Sequence, residues 1–210
     1  MIEGVRHIIF DLGNVLLNIN PELTYKALAD LNIPEFDSVY QSLCAEQVFE
    51  RFETNELNAR QFLDQLKQAS GIALSDKVLI DAWNALLLDF PVRRLQILQQ
   101  LRLYHDLVLL SNTNAIHEDR FNQILQQQHS IPNIGVFFDK VYLSHRVGMR
   151  KPNPDLFARV LTECGFKAEH TLFIDDVAEN VAAAASLGIQ TIWLEAHMSI
   201  EEHIFLNRTK

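Results

Sequence analysis

At residues 8–10 the chain reads Ile-Ile-Phe, apolar at every position, and then stops at Asp11-Leu12-Gly13-Asn14. A strand with one wet face alternates polar and apolar side chains. A strand buried on both faces does not, and such strands belong to parallel sheets covered by helices. Comparable runs recur at 107–110, 141–143, 171–174 and 191–194, separated by helical patterns at 114–127, 154–164 and 177–187. The last pattern ends at Gly188, a suitable left-handed terminator. Strands alternating with helices predict an α/β chain with a parallel, doubly wound sheet.

The stretch from about residue 20 to residue 90 departs from that rhythm. Leu23, Ala27 and Leu31 repeat with helical spacing, as do Phe62, Leu63 and Leu66, and then Val78, Leu79, Ala82, Trp83, Leu86 and Leu87. Pro34 and Gly71 fall at natural breaks. Some seventy residues exceed the dozen or so that a crossover needs. The expectation is therefore an inserted helical bundle at 18–90, standing as a cap over a core built from 1–17 and 91–210.

Composition narrows the possible partners. With 210 residues, 48% hydrophobic and 21% charged, the chain suits one α/β domain carrying an insertion. A net charge of −9 and a pI near 5.3 disfavour nucleic acid and anionic membranes, which require clustered Lys and Arg. An anionic substrate would need a locally positive site. Cys44 and Cys164 stand far apart in no metal-like spacing, as expected of reduced thiols in a cytoplasmic protein. Met1-Ile2-Glu3-Gly4 does not read as a signal peptide, and no apolar run approaches the length of a membrane span.

In an open parallel sheet, ligands bind beyond the carboxyl ends of the strands. Those ends carry Asp11, then Ser111 and Asn112, then Asp175 and Asp176. Three carboxylates at the tips of buried strands would repel one another, so they either take up protons or hold a cation. Oxygen ligands without His or Cys favour a hard ion such as Mg²⁺. The plainer reading of Asp175-Asp176 is a helix cap before Val177, and Ser111-Asn112 admits the same reading. Asp11 could be a turn residue. As a nucleophile, however, its carboxylate needs no activating base, and attack on phosphorus would give an aspartyl-phosphate. Ser111 and Asn112 would donate to the phosphoryl oxygens. Lys151, in the loop Gly148-Met149-Arg150-Lys151-Pro152-Asn153-Pro154, would supply a held cation.

Four segments in order carry a resemblance: Phe10-Asp11-Leu12-Gly13-Asn14-Val15, Leu110-Ser111-Asn112-Thr113-Asn114, Arg150-Lys151-Pro152, and Phe173-Ile174-Asp175-Asp176 followed by Asn180. Together with a helical cap between the first two, the chain resembles the haloacid dehalogenase-like hydrolase superfamily over nearly its whole length. The resemblance implies a Rossmann-like core, a mobile helical cap and Asp11 as nucleophile. It also implies Mg²⁺ held by Asp11, Asp176 and the carbonyl of Gly13 with Asp175 nearby, and a phosphoryl group bound by Ser111 and Lys151. The first two motifs look closest to a branch of sugar-phosphate phosphatases that includes α-glucose-1-phosphate phosphatase. The expected substrate is a small phosphorylated metabolite, handled by a monomer or homodimer.

One position departs from the superfamily pattern. Most of its phosphatases carry a second Asp two residues after the nucleophile, as acid and base, and here that residue is Gly13. General acid–base catalysis contributes about 10²–10⁴-fold, so substrates whose leaving group needs little protonation, such as anomeric phosphates, are expected to be preferred. Gly13 also keeps two alternatives in view. In a 2-haloacid dehalogenase, Asp175 and Asp176 would have no use. A non-catalytic binding relative would have been free to lose Asp11, Ser111, Lys151 and Asp176. A phosphomutase would need the missing acid. Candidates to face the substrate from the cap are Asn18, Glu46, Phe49, Arg51, Phe52, Trp83 and Asn84, with the aromatic ones favoured as cap core, and His117 is expected at the surface or as a cap. The tail at 195–210 carries no functional signal.

Overall fold

A computed structural model describes residues 4–205; Met1 to Glu3 of the N-terminal segment and 206–210 of the tail lie outside them. Five strands form one parallel sheet: β1 (His7–Phe10), β2 (Asp106–Ser111), β3 (Lys140–Leu143), β4 (Thr171–Asp175) and β5 (Gln190–Trp193). Their order is β3-β2-β1-β4-β5. The first strand is thus central, with its successors laid down on either side, and the point where the order reverses is where such sheets bind ligands. In register, Phe10 stands between Leu109 and Ile174. Asp11, Ser111 and Asp175 therefore emerge at neighbouring strand tips.

The unbroken apolar runs have the predicted cause, because alternate residues of each strand enter different cores. Ile8, Phe10, Leu107, Leu109, Leu172 and Ile174 pack with Leu95 and Leu98 of α6 (Val92–Leu101) and Phe121 and Leu125 of α7 (Ala115–His129). Ile9, Val108, Leu110 and Phe173 face the other way. They meet Leu156, Phe157 and Val160 of α9 (Pro154–Cys164) and Ala184 of α10 (Ala178–Ser186). A one-turn helix, α8 (Ser144–Val147), follows β3. Gly188 adopts φ +81° just after α10, the left-handed conformation that only glycine takes without strain. The tail is not idle, since Ile200 is buried and Glu201 accepts from the Arg94 guanidinium.

Between β1 and β2 the chain is helical: α1 (Pro21–Ala29), α2 (Phe36–Ala45), α3 (Val48–Glu53), α4 (Ala59–Ser70) and α5 (Asp76–Trp83). Polar residues set the starts. Asn20, Asn58 and Ser75 accept from first-turn amides, and Asn58 forms a reciprocal capping box with Gln61. The unit has its own core, in which Phe52 stacks on Phe62 and Phe49 on Trp83. The predicted helical register breaks at two places. Leu31 lies beyond the end of α1, and Asn84–Leu86 tighten into a 3₁₀ turn. Two short linkers join this unit to the sheet by running antiparallel. Asn18 and Asp89 pair through backbone and side chain, Leu88 N–H donates to Asn18 O, and Ile19 bridges Leu87.

Among the described residues no helix is long and apolar enough to cross a membrane. Phe62 has no exposed surface, so Phe62→Ala should cost about 3–5 kcal/mol in urea denaturation. A loss below about 1 kcal/mol would contradict a packed helical core.

Candidate active site

Asp11 follows β1, and its N–H still donates to Ile174 O at 3.0 Å, which holds the side chain at the centre of the sheet edge. Its Oδ1 receives the Lys151 Nζ at 2.5 Å, and the same ammonium donates to Asp175 Oδ2 at 2.6 Å. Lys151 is 1% exposed and Asp175 is fully buried, so this cation sits between two carboxylates with almost no water. The Phe173 ring lies 5.5 Å from the ammonium. Such a lysine is tolerable only because it is paired.

The lysine is fixed from its backbone as well. Asn112 Nδ2 donates to Lys151 O at 2.9 Å, and Lys151 N–H donates to Asn112 Oδ1 at 2.8 Å. Asn112 was expected to bind phosphate. Its side chain instead spends both ends on the Lys151 main chain. Ser111 is buried at the tip of β2, and its hydroxyl makes only a long 3.5 Å contact with Asn112 O. The next turn is held by Ser144 of α8, which accepts from Thr113 N–H and donates to Thr113 O, each at 2.8 Å.

Asp175 and Asp176 have different surroundings. Both Asp175 oxygens are engaged, Oδ1 by Val177 N–H and Asn180, Oδ2 by Lys151 and Asn180. Asp176 is half-buried, and its Oδ2 accepts from Asn14 Nδ2 at 2.9 Å. Asn14 reaches it from a left-handed backbone at φ +53°, which asparagine tolerates better than most residues. Nothing in the sequence singled out Asn14 beyond its place in the first motif. Asn180 followed the fourth motif in the same unexplained way.

One oxygen from each of Asp11, Asp175 and Asp176 lies within 4.8 Å of the others. When ionised, these three carboxylates against one ammonium carry a net −2, and an all-oxygen donor set of that charge fits a hard divalent cation. Gly13, the fourth expected ligand, turns its carbonyl to Val15 N–H at 2.6 Å, which leaves one lone pair. A Cβ built on Gly13 would come within 2.9 Å of Ile19 Cδ1. A side chain there would have to displace the tip of Ile19, a linker residue.

Burial dominates the titration. It pushes Asp11 up to about 7, with Asp175 and Asp176 adding to the rise and Lys151 opposing it. Asp176 is raised as well, first by burial. For Lys151 burial favours the neutral form, yet Asp11 and Asp175 outweigh it and hold the ammonium above its ordinary value.

The residues expected to face the substrate from the helical unit are mostly committed elsewhere. Phe49, Phe52 and Trp83 belong to its aromatic core. Asn18 bonds Asp89, Arg51 pairs with Glu56, and Asn84 ends α5. Glu46 is exposed and accepts from Ser42. His117 is neither a surface residue nor a cap. It is buried, stacks on Trp83 at 5.0 Å and contacts Trp83 O, while Asn114 at the start of α7 meets both side chains. Burial lowers its pKa to about 4, so it is neutral. The group that does link the helical unit to the lysine loop is Glu53, which accepts from Arg150 Nε at 3.0 Å.

A parallel sheet with clustered carboxylates and a buried lysine at its central strand tips, beneath a helical insertion, is a hydrolase architecture. The chain belongs to the haloacid dehalogenase-like hydrolases, whose family model matches residues 5–188. It is 27% identical over 187 residues to a D-ribitol-5-phosphate phosphatase of Bacteroides thetaiotaomicron, covering 89% of this chain and 90% of that one. It is likewise 27% identical to a sesquiterpene phosphatase of Aspergillus oryzae, over 86% of this chain and 85% of the other. Among solved structures, the HAD family enzyme BT-2542 of B. thetaiotaomicron, in complex with magnesium and inorganic phosphate, superposes with TM-score 0.84 at 30% identity, covering 96% of this chain and all of the other.

Because Asp11 is raised from 3.8 to about 7, the native state binds more protons than the unfolded chain across that interval. In chelator, stability should therefore fall as pH rises from about 4 to about 7. Lys151 adds no slope there, since its raised pKa lies far higher. Urea midpoints across this range should fall less in Asp11→Asn than in wild type, and equal slopes would remove Asp11 as the cause.

Proposed function

We propose that this protein is a magnesium-dependent phosphatase that hydrolyses a small phosphorylated metabolite, a sugar or alditol phosphate, through an aspartyl-phosphate on Asp11. The observation that carries the reading is the buried lysine shared by Asp11 and Asp175, with Asp176 at its open edge. The two phosphatases and the magnesium–phosphate complex among its relatives support it.

Asp11 has one oxygen on Lys151, and the other attacks phosphorus as the bond to the leaving oxygen breaks. Lys151 opposes the protonation that burial favours at Asp11 and holds the carboxylate correctly turned. An ammonium has three donors, and two are spent on carboxylates, so the third remains for a phosphoryl oxygen. Ser111, with no strong partner of its own, is the natural second donor. Water then attacks the phosphoryl group, releasing inorganic phosphate and regenerating the carboxylate. Asp11, Asp176 and the Gly13 carbonyl would hold Mg²⁺, with Asp175 behind them, and the chemistry supplied there is neutralisation of phosphoryl charge. Residues 18–90 act as a cap that excludes water, on a core of 1–17 and 91–210. Two unpaired thiols accord with a cytoplasmic location.

Hydrolysis of p-nitrophenyl phosphate should vanish in EDTA and return with Mg²⁺, and Asp11→Asn should lower kcat on the order of 10⁴-fold or more. Activity surviving both changes would end the proposal, as would halide release from 2-chloropropionate without magnesium.

The absent acid at Gly13 gives a second expectation. In a panel of phosphorylated sugars and alditols, hexose 1-phosphates should exceed hexose 6-phosphates in kcat/KM by about tenfold or more, part of the general-acid contribution. Equal rates would show that another group donates the proton. Ribitol 5-phosphate belongs in the panel because its leaving group is an ordinary primary alcohol.

A further inference from the structure

Of the ion pairs among the described residues, one joins the helical unit to the core: Glu53 with Arg150. Glu53 is the last residue of α3, and Arg150 immediately precedes Lys151. The two ends are unequal in freedom. Arg150 stands on a ledge whose next residue is bonded through its backbone to Asn112 and through its ammonium to Asp11 and Asp175. Glu53 rides on a unit joined to the sheet by the two linkers at Ile19 and Leu87 and by the Trp83–His117 contact.

Packing around the pair is close. Thr54 O lies 3.9 Å from where a Cβ on Gly148 would be, so the end of α3 rests directly on the lysine loop. The side chains of Arg150 and Glu53 are 37% and 24% exposed, which leaves the pair half out of water and able to break. Glu53 is paired with the residue next to Lys151, so its carboxylate stands beside the lysine loop, where without Arg150 it would repel an incoming anion.

We infer that Glu53 and Arg150 form a latch that holds the helical unit closed over Asp11 and Lys151, so that both are positioning residues for the reaction. The inference rests on reading 18–90 as a cap over a phosphoryl site. The latch is directional: it fastens α3 to a loop whose lysine is already held by Asn112, Asp11 and Asp175, so it is the helical unit that the pair positions. Loss of the pair leaves both halves folded, because each has its own core.

The test is a double-mutant cycle of Glu53→Gln, Arg150→Gln and the double variant. Hydrogen exchange of amides in α3 and in the loop at 145–151 reads cap opening without any substrate. Each single variant should raise exchange about three- to tenfold, the span of a partly buried, charge-assisted pair. The double variant should match the singles. In about 0.5 M salt, where the screening length is about 4 Å, wild type should move toward the variants. The double variant removes one charge of each sign, so its direct field on the substrate changes little. Its KM for p-nitrophenyl phosphate and Ki for inorganic phosphate should rise about three- to tenfold with kcat nearly unchanged.

Unchanged exchange, or effects that multiply in the double variant, would overturn the latch. A fall in kcat alone would reassign the pair to the chemistry and equally overturn it. Should wild type hydrolyse no phosphate ester, the phosphatase reading fails while the exchange cycle still decides whether the latch exists.

Discussion

Lys151 is a cation removed from water, and the arrangement around it follows from that fact. A buried ammonium is costly unless carboxylates meet it, and Asp11 and Asp175 do so at hydrogen-bonding distance. Each of the three has a further support. Asn112 clamps the lysine backbone, Asn180 and Val177 hold Asp175, and the β1–β4 ladder carries Asp11. The sheet topology supplies the meeting place, since only a central β1 puts its own tip beside those of β2 and β4.

Excess negative charge is the other half of that constraint. Asp176 adds a third carboxylate that Lys151 cannot neutralise, and burial drives Asp11 toward the protonated form. An all-oxygen set in this condition suits a small hard cation. The acidic surface of the protein as a whole, net −9, makes that local arrangement more important, because long-range steering does not favour an anion.

The helical unit meets the core in three places of different character. At the linkers the contact is backbone to backbone, around Ile19 and Leu87. At α7 it is aromatic and buried, with Trp83, His117 and Asn114 interlocked and Ile116 contributed to the core of the helical unit. At the lysine loop it is ionic and half-exposed. Water competes least with the second contact and most with the third. Ile19, part of the linker, also fills the space beside Gly13. The same segment that joins the two units thus lines the position where an acid would stand.

Much of this was legible in the residues, for a physical reason. Burial on both faces leaves an unbroken apolar run, and helix ends need polar or glycine residues, so the five strands and the helices α7, α9 and α10 could be placed within a residue or two; α6 and the bounds of the helices in 18–90 could not. The strand-tip residues Asp11, Ser111, Asp175 and Asp176 followed, because a polar residue ending a buried strand has few reasons to be there. What tertiary structure alone decided was pairing. Nothing local to Asn112 says that its amide will serve the backbone of Lys151. Nothing local to Glu53 says that it will meet Arg150 across 97 positions, or to His117 that it will be buried under Trp83. Sequence pattern records whether a side chain is wet or dry. Which partner it finds depends on how distant elements are packed, and that is fixed only when the chain has closed.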